Sequence, residues 1–223
     1  VVAIVIIWNQ IETVLLDMDG TLLDLHFDNY FWTEYLPLKW GELHGLDKDT
    51  AKARLMTQLE DKVGTLSWYC LDFWSGQLGV DILEMKEDIR HLIRERPQTL
   101  EFLEFLGRIG KQKALVTNAH EDLIVMKFDS TAIGQHFDHV YCAHHFGYPK
   151  EDVRFWDELR AVFPFNPETT LLIDDNLSVL RSAQTYGIRH LLTIAQPDSR
   201  YPRREHVGEF RAIESFADLA RHE

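Results

Sequence analysis

Five short apolar runs, each stopped abruptly by polar or small residues, constrain this chain more than any other feature. Thr13-Val14-Leu15-Leu16 stops at Asp17, and Ala114-Leu115-Val116 stops at Thr117-Asn118. His139-Val140-Tyr141-Cys142 leads toward His144, Thr170-Leu171-Leu172-Ile173 stops at Asp174-Asp175, and Ile188–Ile194 forms the fifth. Each is strand-length, and an unbroken apolar run suits a parallel strand buried on both faces. Helical spacing fills the gaps: Phe102 to Ile109, His120 to Ile133, Phe155 to Phe163, and Val179 to Tyr186 with Gly187 as its stop. Strand and helix in alternation predict an α/β fold with a Rossmann-like parallel sheet and right-handed crossovers.

The region 24–96 breaks that alternation. It reads as helix alone, with starts at Asp28, Asp47, about Leu66, and Asp81, the last carrying Ile82, Met85, Ile89, Leu92 and Ile93 on one face. An all-helical cap domain over 24–96, inserted in a core made of 1–23 and 97–223, is the expected organisation. A final helix carrying Ile213, Phe216 and Leu219 is also expected, and the Arg-containing stretch 196–211 has no readable role.

Open α/β sheets bind ligands beyond the carboxyl ends of their strands. Here those ends deliver Asp17-Met18-Asp19-Gly20-Thr21, Thr117-Asn118 and Asp174-Asp175, with Lys150 following the third strand. Four carboxylates in one partly dry crevice repel each other unless some are protonated or a divalent cation neutralises them. Hard oxygen ligands with room for water suit Mg²⁺. The formal net charge of −13 disfavours a nucleic-acid surface, and an anionic ligand then requires local cations. Taken singly, a strand-end Asp or Thr is often a helix cap and a Lys a solvated charge. Their joint order is what points to catalysis. His144-His145 has no second cluster at metal-ligand spacing, and His120 suits a helix start.

These residues resemble the four motifs of the haloacid dehalogenase (HAD) superfamily. Asp17-Met18-Asp19-Gly20-Thr21-Leu22-Leu23-Asp24 is similar to the first motif, and Thr117, Lys150 and Asp174-Asp175 match the second, third and fourth in order. The helical insertion sits where that superfamily places its first-type cap. The resemblance implies a phosphomonoesterase in which Asp17 attacks phosphorus to form an aspartyl-phosphate and Asp19 serves as acid, then base. It implies Mg²⁺ held by the Asp17 carboxylate, the Asp19 main-chain carbonyl, Asp175 and, direct or through water, Asp174. Thr117, Asn118 and Lys150 would cradle the phosphoryl oxygens.

Four of the six tryptophans (Trp32, Trp40, Trp68, Trp74) lie in the insertion, and most such aromatics belong to its own core. Any that face the cleft would stack a nucleobase. The segment Phe27 to Tyr30 is best placed to face the leaving group, with Asp28, Asn29 and Asp72 as candidates for a base edge. The strings Phe27-Asp28-Asn29-Tyr30-Phe31-Trp32, Ser67 to Trp74, Thr117-Asn118-Ala119-His120 and Phe146 to Asp152 resemble bacterial HAD nucleotidases acting on GMP and IMP. The substrate implied is a small-molecule phosphate ester, a purine nucleoside 5′-monophosphate, with no nucleic-acid or membrane partner. The nearest rival is a sugar-phosphate phosphatase or phosphomutase of the same superfamily. A haloacid dehalogenase has no use for Asp19, and a phospho-acceptor receiver domain carries its acidic pair on the first strand.

Cys70 and Cys142 cannot build a disulfide framework and fit a reducing cytoplasm. The apolar run Val1–Trp8 is too short to span a bilayer and lacks the cationic flank and small-residue site of a signal peptide. A monomer is favoured, although no sequence feature sets an oligomeric state.

Overall fold

The computed structural model describes residues 6–220, so most of the run beginning at Val1 lies outside the described residues. Six strands form one sheet: β1 (Thr13–Leu16), β2 (Gln112–Thr117), β3 (Val140–Cys142), β4 (Thr170–Ile173), β5 (His190–Ile194) and β6 (Arg211–Ile213). Their order is β3-β2-β1-β4-β5-β6 and every pair is parallel. β1 and β4, at the centre, are buried at every residue, as their unbroken apolar sequences require.

Eleven α-helical segments accompany the sheet among the described residues. Six follow β1: α1 (His26–Tyr30), α2 (Leu36–His44), α3 (Lys48–Glu60), α4 (Leu66–Tyr69), α5 (Leu71–Leu78) and α6 (Ile82–Glu87). The others are α7 (Thr99–Arg108), α8 (Glu121–Ser130), α9 (Ala143–Phe146), α10 (Val153–Val162) and α11 (Leu177–Tyr186). The Asp47 and Asp81 side chains cap α3 and α6 by accepting from Thr50 and Glu84 N–H groups. A π-helical turn, Phe31–Tyr35, joins α1 to α2. Pro37 follows it and has no N–H to offer the Thr33 carbonyl, so the regular i→i−4 ladder is already broken there.

Successive β1 side chains point to opposite faces of the sheet. Val14 and Leu16 pack on α7 and the insertion's apolar residues, among them Phe27, Phe31, Leu36 and Trp74. Leu15 packs on the other face with Phe155, Trp156 and Val179 of α10 and α11. Buried Trp156 donates its indole N–H to Ser182 Oγ at 3.0 Å, so the ring leaves no unpaired polar atom.

The chain leaves and re-enters the sheet domain side by side. Leu23 bridges Glu95 antiparallel, the Asp24 N–H donates to the Arg94 carbonyl at 2.9 Å, and the Arg96 N–H donates to the Leu22 carbonyl at 2.9 Å. The expected C-terminal helix is absent. Ile213 ends β6, which pairs with β5, and Phe216–Asp218 makes one 3₁₀ turn capped by Ser215. Apolar residues three apart arise equally from a strand end followed by a tight turn, because both inward positions are then filled. The last helix of the insertion is likewise shorter than its apolar stripe, with a 3₁₀ turn over Arg90–Leu92. No helix among the described residues is long and apolar enough to cross a membrane.

Candidate active site

Strand register brings the polar strand ends together. Leu16 lies opposite Ile173 of β4 and Leu115 of β2, so Asp17 and Asp174 leave the sheet at one level. This is where the strand order reverses, the expected crevice in an open parallel sheet. A cavity of about 700 Å³ opens there, and Asp17, Asp19, Thr117, Asn118, Lys150, Asp174 and Asp175 all line it.

Lys150 is buried and central. Its ammonium donates to Asp17 Oδ1 at 2.6 Å, to Asp174 Oδ2 at 2.7 Å and to the Val116 carbonyl at 3.0 Å. Burial opposes its charge, but the Asp17 and Asp174 carboxylates outweigh that and hold the ammonium well above its ordinary range. Its own N–H donates to Asn118 Oδ1 at 2.9 Å, which ties the third motif to the second. Asp174 and Asp175 are not caps of α11, since Asn176 fills that role by accepting from the Ser178 N–H. Burial pushes the Asp175 carboxyl up to about 7, with Asp17 adding to the rise and Arg204 and Lys150 opposing it. Asp174 is raised well above its usual range, chiefly by burial. The Thr117 hydroxyl accepts from the Ala119 N–H at 3.0 Å.

The donor set fits a hard divalent cation. Asp17, Asp174 and Asp175 each offer one carboxylate oxygen within 4.8 Å of the others. Asp17 Oδ2 is buried and has no hydrogen-bond partner among the described residues, an expensive state for a carboxylate oxygen without a cation. Asp175 is fixed from three sides: its N–H donates to Thr21 Oγ1 at 3.1 Å, and Arg204 donates to its carbonyl and, at 3.1 Å, to Oδ2.

Gly20 belongs to this arrangement by shape. Its φ is +82°, and a Cβ built there would lie 2.7 Å from Asp175 Cγ. Gly20→Ala is therefore expected to cost about 1–3 kcal/mol of stability from the positive φ and the clash. Displacing Asp175 is expected to weaken the acidic triad's affinity for a divalent cation about tenfold. Denaturant unfolding read alongside a Mg²⁺ titration checks both effects.

Asp19 takes a different direction from the triad. Its Oδ1 accepts from Lys127 at 2.6 Å, Lys127 also donates to Asp28 Oδ2 at 2.8 Å, and Asp28 Oδ1 accepts from Lys86 at 2.8 Å. Both lysines are almost completely buried. Lys86 lies over the rings of Phe27, Phe31 and Trp32 at 4.7, 4.4 and 5.7 Å, which partly replaces its lost hydration. Burial pushes the Asp19 carboxyl up to about 6 against the pull of Lys127. Burial also acts on Asp28, but Lys127 and Lys86 together overcome it and hold that carboxyl below the ordinary range.

A third group ties the insertion to the sheet domain. Glu151 accepts from the Tyr69 hydroxyl at 2.6 Å, from Asn176 Nδ2 at 3.1 Å and from Asn118 Nδ2 at 2.9 Å. Trp32, Trp68 and Tyr69 wall the cavity, whereas Trp40 and Trp74 are core. Phe27 is also core, so that segment reaches the cavity through Asp28 and Asn29 rather than through its aromatic ends. Asn29 donates to Asp198 at 2.8 Å, and Asp72 lies on the outside, where it cannot meet a base edge in the cavity. His120 caps α8, as its position suggested.

The residues missed in the sequence left two readable signals. Lys86 sits four residues after Ile82 and three before Ile89 on the apolar stripe of α6, and Lys127 follows Leu123, Ile124 and Met126 on the buried side of α8. A lysine on an apolar face is either mispredicted or buried with a partner. Arg204, in the unread stretch 196–211, carries no such periodic signal.

Comparison with known proteins gives the chain's family and fold. Residues 11–187 match the family model of haloacid dehalogenase-like hydrolases. The chain is 42% identical over 213 residues to the GMP/IMP nucleotidase YrfG of Escherichia coli K12, covering 93% of this chain and 96% of that protein. The Shigella flexneri protein of the same name matches equally. Among solved structures, the HAD phosphatase from Thermococcus onnurineus superposes with a TM-score of 0.76 at 20% identity, covering 93% of this chain and 95% of that one. CbbY from Rhodobacter sphaeroides, in complex with phosphate, gives 0.65 at 17% identity, with 93% and 95% covered. With the family model spanning β1 to β4, the insertion and all four motif positions, this chain belongs to the haloacid dehalogenase-like hydrolases.

Proposed function

We propose that this hydrolase is a Mg²⁺-dependent 5′-nucleotidase that cleaves the phosphate of purine nucleoside monophosphates, GMP and IMP, by way of an aspartyl-phosphate on Asp17. The observation that carries the chemistry is the Asp17 carboxylate itself, with one oxygen held by Lys150 and the other unengaged at the cavity floor. The relatives at 42% identity carry the substrate assignment.

Each residue has work suited to its position. An Asp17 oxygen attacks phosphorus, and the ester P–O bond breaks as Asp19 gives its proton to the departing 5′-oxygen. Asp19 then takes a proton from water, whose oxygen attacks the acyl phosphate and releases inorganic phosphate and free Asp17. A carboxyl pushed up to about 6 holds enough proton near neutrality to serve in both directions. Lys150, Thr117 and Asn118 stand at the strand ends to meet the phosphoryl oxygens. Mg²⁺ held by Asp17, Asp174, Asp175 and the Asp19 carbonyl would supply charge to the transferring group and lower the repulsion between nucleophile and substrate.

The segment 24–96 acts as a cap on the core of 1–23 and 97–223, with the paired crossings at Leu22–Asp24 and Arg94–Arg96 as its root. Trp32 and Trp68 offer aromatic surface to a base in a cavity whose volume suits a nucleotide. Lys150, Arg204 and Lys86 line that cavity and supply the local positive charge that an acidic chain needs for an anionic substrate. The free thiols of Cys70 and Cys142 fit work in the cytoplasm.

The test is Mg²⁺-dependent phosphate release from IMP, GMP, AMP, UMP, ribose 5-phosphate and β-glucose 1-phosphate. Expected is a preference for IMP and GMP that EDTA abolishes and Mg²⁺ restores. Equal or faster turnover of the sugar phosphates would overturn the nucleotidase assignment while keeping the chemistry. Activity unchanged in EDTA would overturn the metal.

A further inference from the structure

The structure assigns Lys127 as a positioning residue for Asp19, held in place by Asp28 of the inserted segment, so that the proton donor is aimed by a charge chain running Asp19–Lys127–Asp28–Lys86. This inference rests on the acid role proposed for Asp19 and adds the residues that make the role geometrically possible.

Asp19 leaves β1 on a short loop and faces a cavity of about 700 Å³, a setting in which a carboxylate has several rotamers open to it. The ammonium of Lys127, 2.6 Å from Oδ1, selects one of them and leaves Oδ2 to carry the proton toward the ester oxygen. Lys127 is itself unable to wander. It is 1% exposed, comes from the rigid helix α8, lies 5.3 Å from the Phe27 ring centroid, and is bonded on its other side to Asp28 at 2.8 Å. Asp28 is in turn fixed by Lys86. Two buried ammonium groups alternate with two carboxyl groups, so the chain is neutral when Asp19 is ionised and carries one positive charge when Asp19 holds its proton, and neither lysine would tolerate its site alone.

The chain also crosses between the two parts of the protein. Asp19 and Lys127 belong to the sheet domain, and Asp28 and Lys86 belong to α1 and α6 of the insertion. The side chain that aims the acid is thus completed by the segment that covers the substrate. Among the described residues the Lys127 ammonium bonds to Asp19 and Asp28 and not to Asp17, Asp174 or Asp175, and Lys127 does not line the cavity. Its effect therefore runs through Asp19 alone, and kcat/KM, set by the steps up to departure of the alcohol, reads the acid half of that role, in which Asp19 gives its proton to the leaving oxygen as the P–O bond breaks. Lys127 keeps its own protons throughout.

That confinement gives a test that a merely structural role would not satisfy. A nucleoside leaves as a strongly basic alkoxide and needs a well-aimed proton, whereas p-nitrophenolate leaves without one. kcat/KM should be measured with Mg²⁺ for IMP and for p-nitrophenyl phosphate in wild type, Lys127→Gln, Lys127→Arg and Asp19→Asn. Lys127→Gln is expected to lower the IMP value by about 10²-fold and the p-nitrophenyl phosphate value by only a few-fold, while Lys127→Arg recovers most of the ratio. Asp19→Asn should show the same divergence at larger amplitude. Equal losses on both substrates, or none, in Lys127→Gln would overturn the positioning role even if Asp19→Asn diverges. A lack of divergence in Asp19→Asn would overturn the acid role beneath it. If Lys127→Gln does not fold, Asp28→Asn, which keeps both lysines, is read the same way. It is expected to lower the IMP value about tenfold relative to p-nitrophenyl phosphate, and equal losses there would overturn the inference.

Discussion

Asp17→Asn is expected to reduce phosphate release at saturating Mg²⁺ by at least about 10³-fold while leaving the protein as stable as wild type or more so. The kinetic loss follows from removing the nucleophile, since an amide oxygen does not form the acyl phosphate and the remaining groups only bind and polarise substrate. The stability result follows from charge. Asp17 is buried beside Asp174 and Asp175 and raises the proton affinity of both, which is a direct sign of mutual repulsion. Asparagine keeps the shape and the acceptor for Lys150 but relieves that repulsion, by about 1 kcal/mol in the absence of metal. The melting temperature without Mg²⁺ is expected to stay level or rise, and the additional rise on adding Mg²⁺ to shrink, because one ligand oxygen has lost its charge. Turnover within tenfold of wild type would remove Asp17 from the centre of the chemistry. A collapse in stability would mean that the carboxylate is structural.

Most of the sheet was legible because its signal is periodic and local. Thr13–Leu16 and Thr170–Ile173 read as buried parallel strands, and they are the adjacent central pair whose register sets Asp17 beside Asp174. The order of Asp17, Thr117, Lys150 and Asp174-Asp175 was likewise readable, because strand ends in a parallel sheet all face one side. Three things were hidden for distinct physical reasons. Ile213, Phe216 and Leu219 fit a helix face by spacing, yet only pairing with β5 decides that Ile213 ends a strand. Arg204 reaches Asp175 from a stretch with no apolar periodicity, so nothing local marks it. Asp28 looked like a group free to meet a base, whereas Lys86 and Lys127 from 58 and 99 residues away already occupy both of its oxygens. Long-range charge pairing leaves almost no trace in one sequence beyond a lysine where a leucine would fit.

Lys150→Met is expected to be damaging in a different way from the loss of Asp17. Among the described residues the lysine is the one side chain ion-paired with both Asp17 and Asp174, and it is buried with them. Removing it leaves two buried carboxylates without their shared cation, a loss of about 3–5 kcal/mol where one partner of a buried pair is deleted. Methionine fills the same volume, so packing does not account for the change. The Lys150 N–H that donates to Asn118 is backbone and survives the substitution, which keeps the second motif in place. Turnover should fall about 10³-fold, because an ammonium preset at the phosphoryl position is lost while the nucleophile remains. The distinguishing observation is thermal. On the proposed reading Lys150 and a divalent ion would share the neutralisation of Asp17, Asp174 and Asp175, so the variant should gain more from added Mg²⁺ than wild type does, as a larger rise in melting temperature at equal free Mg²⁺. A variant that loses activity but gains no more from Mg²⁺ than wild type would place Lys150 with the substrate alone, and its ion pairs with Asp17 and Asp174 would then serve only to aim it.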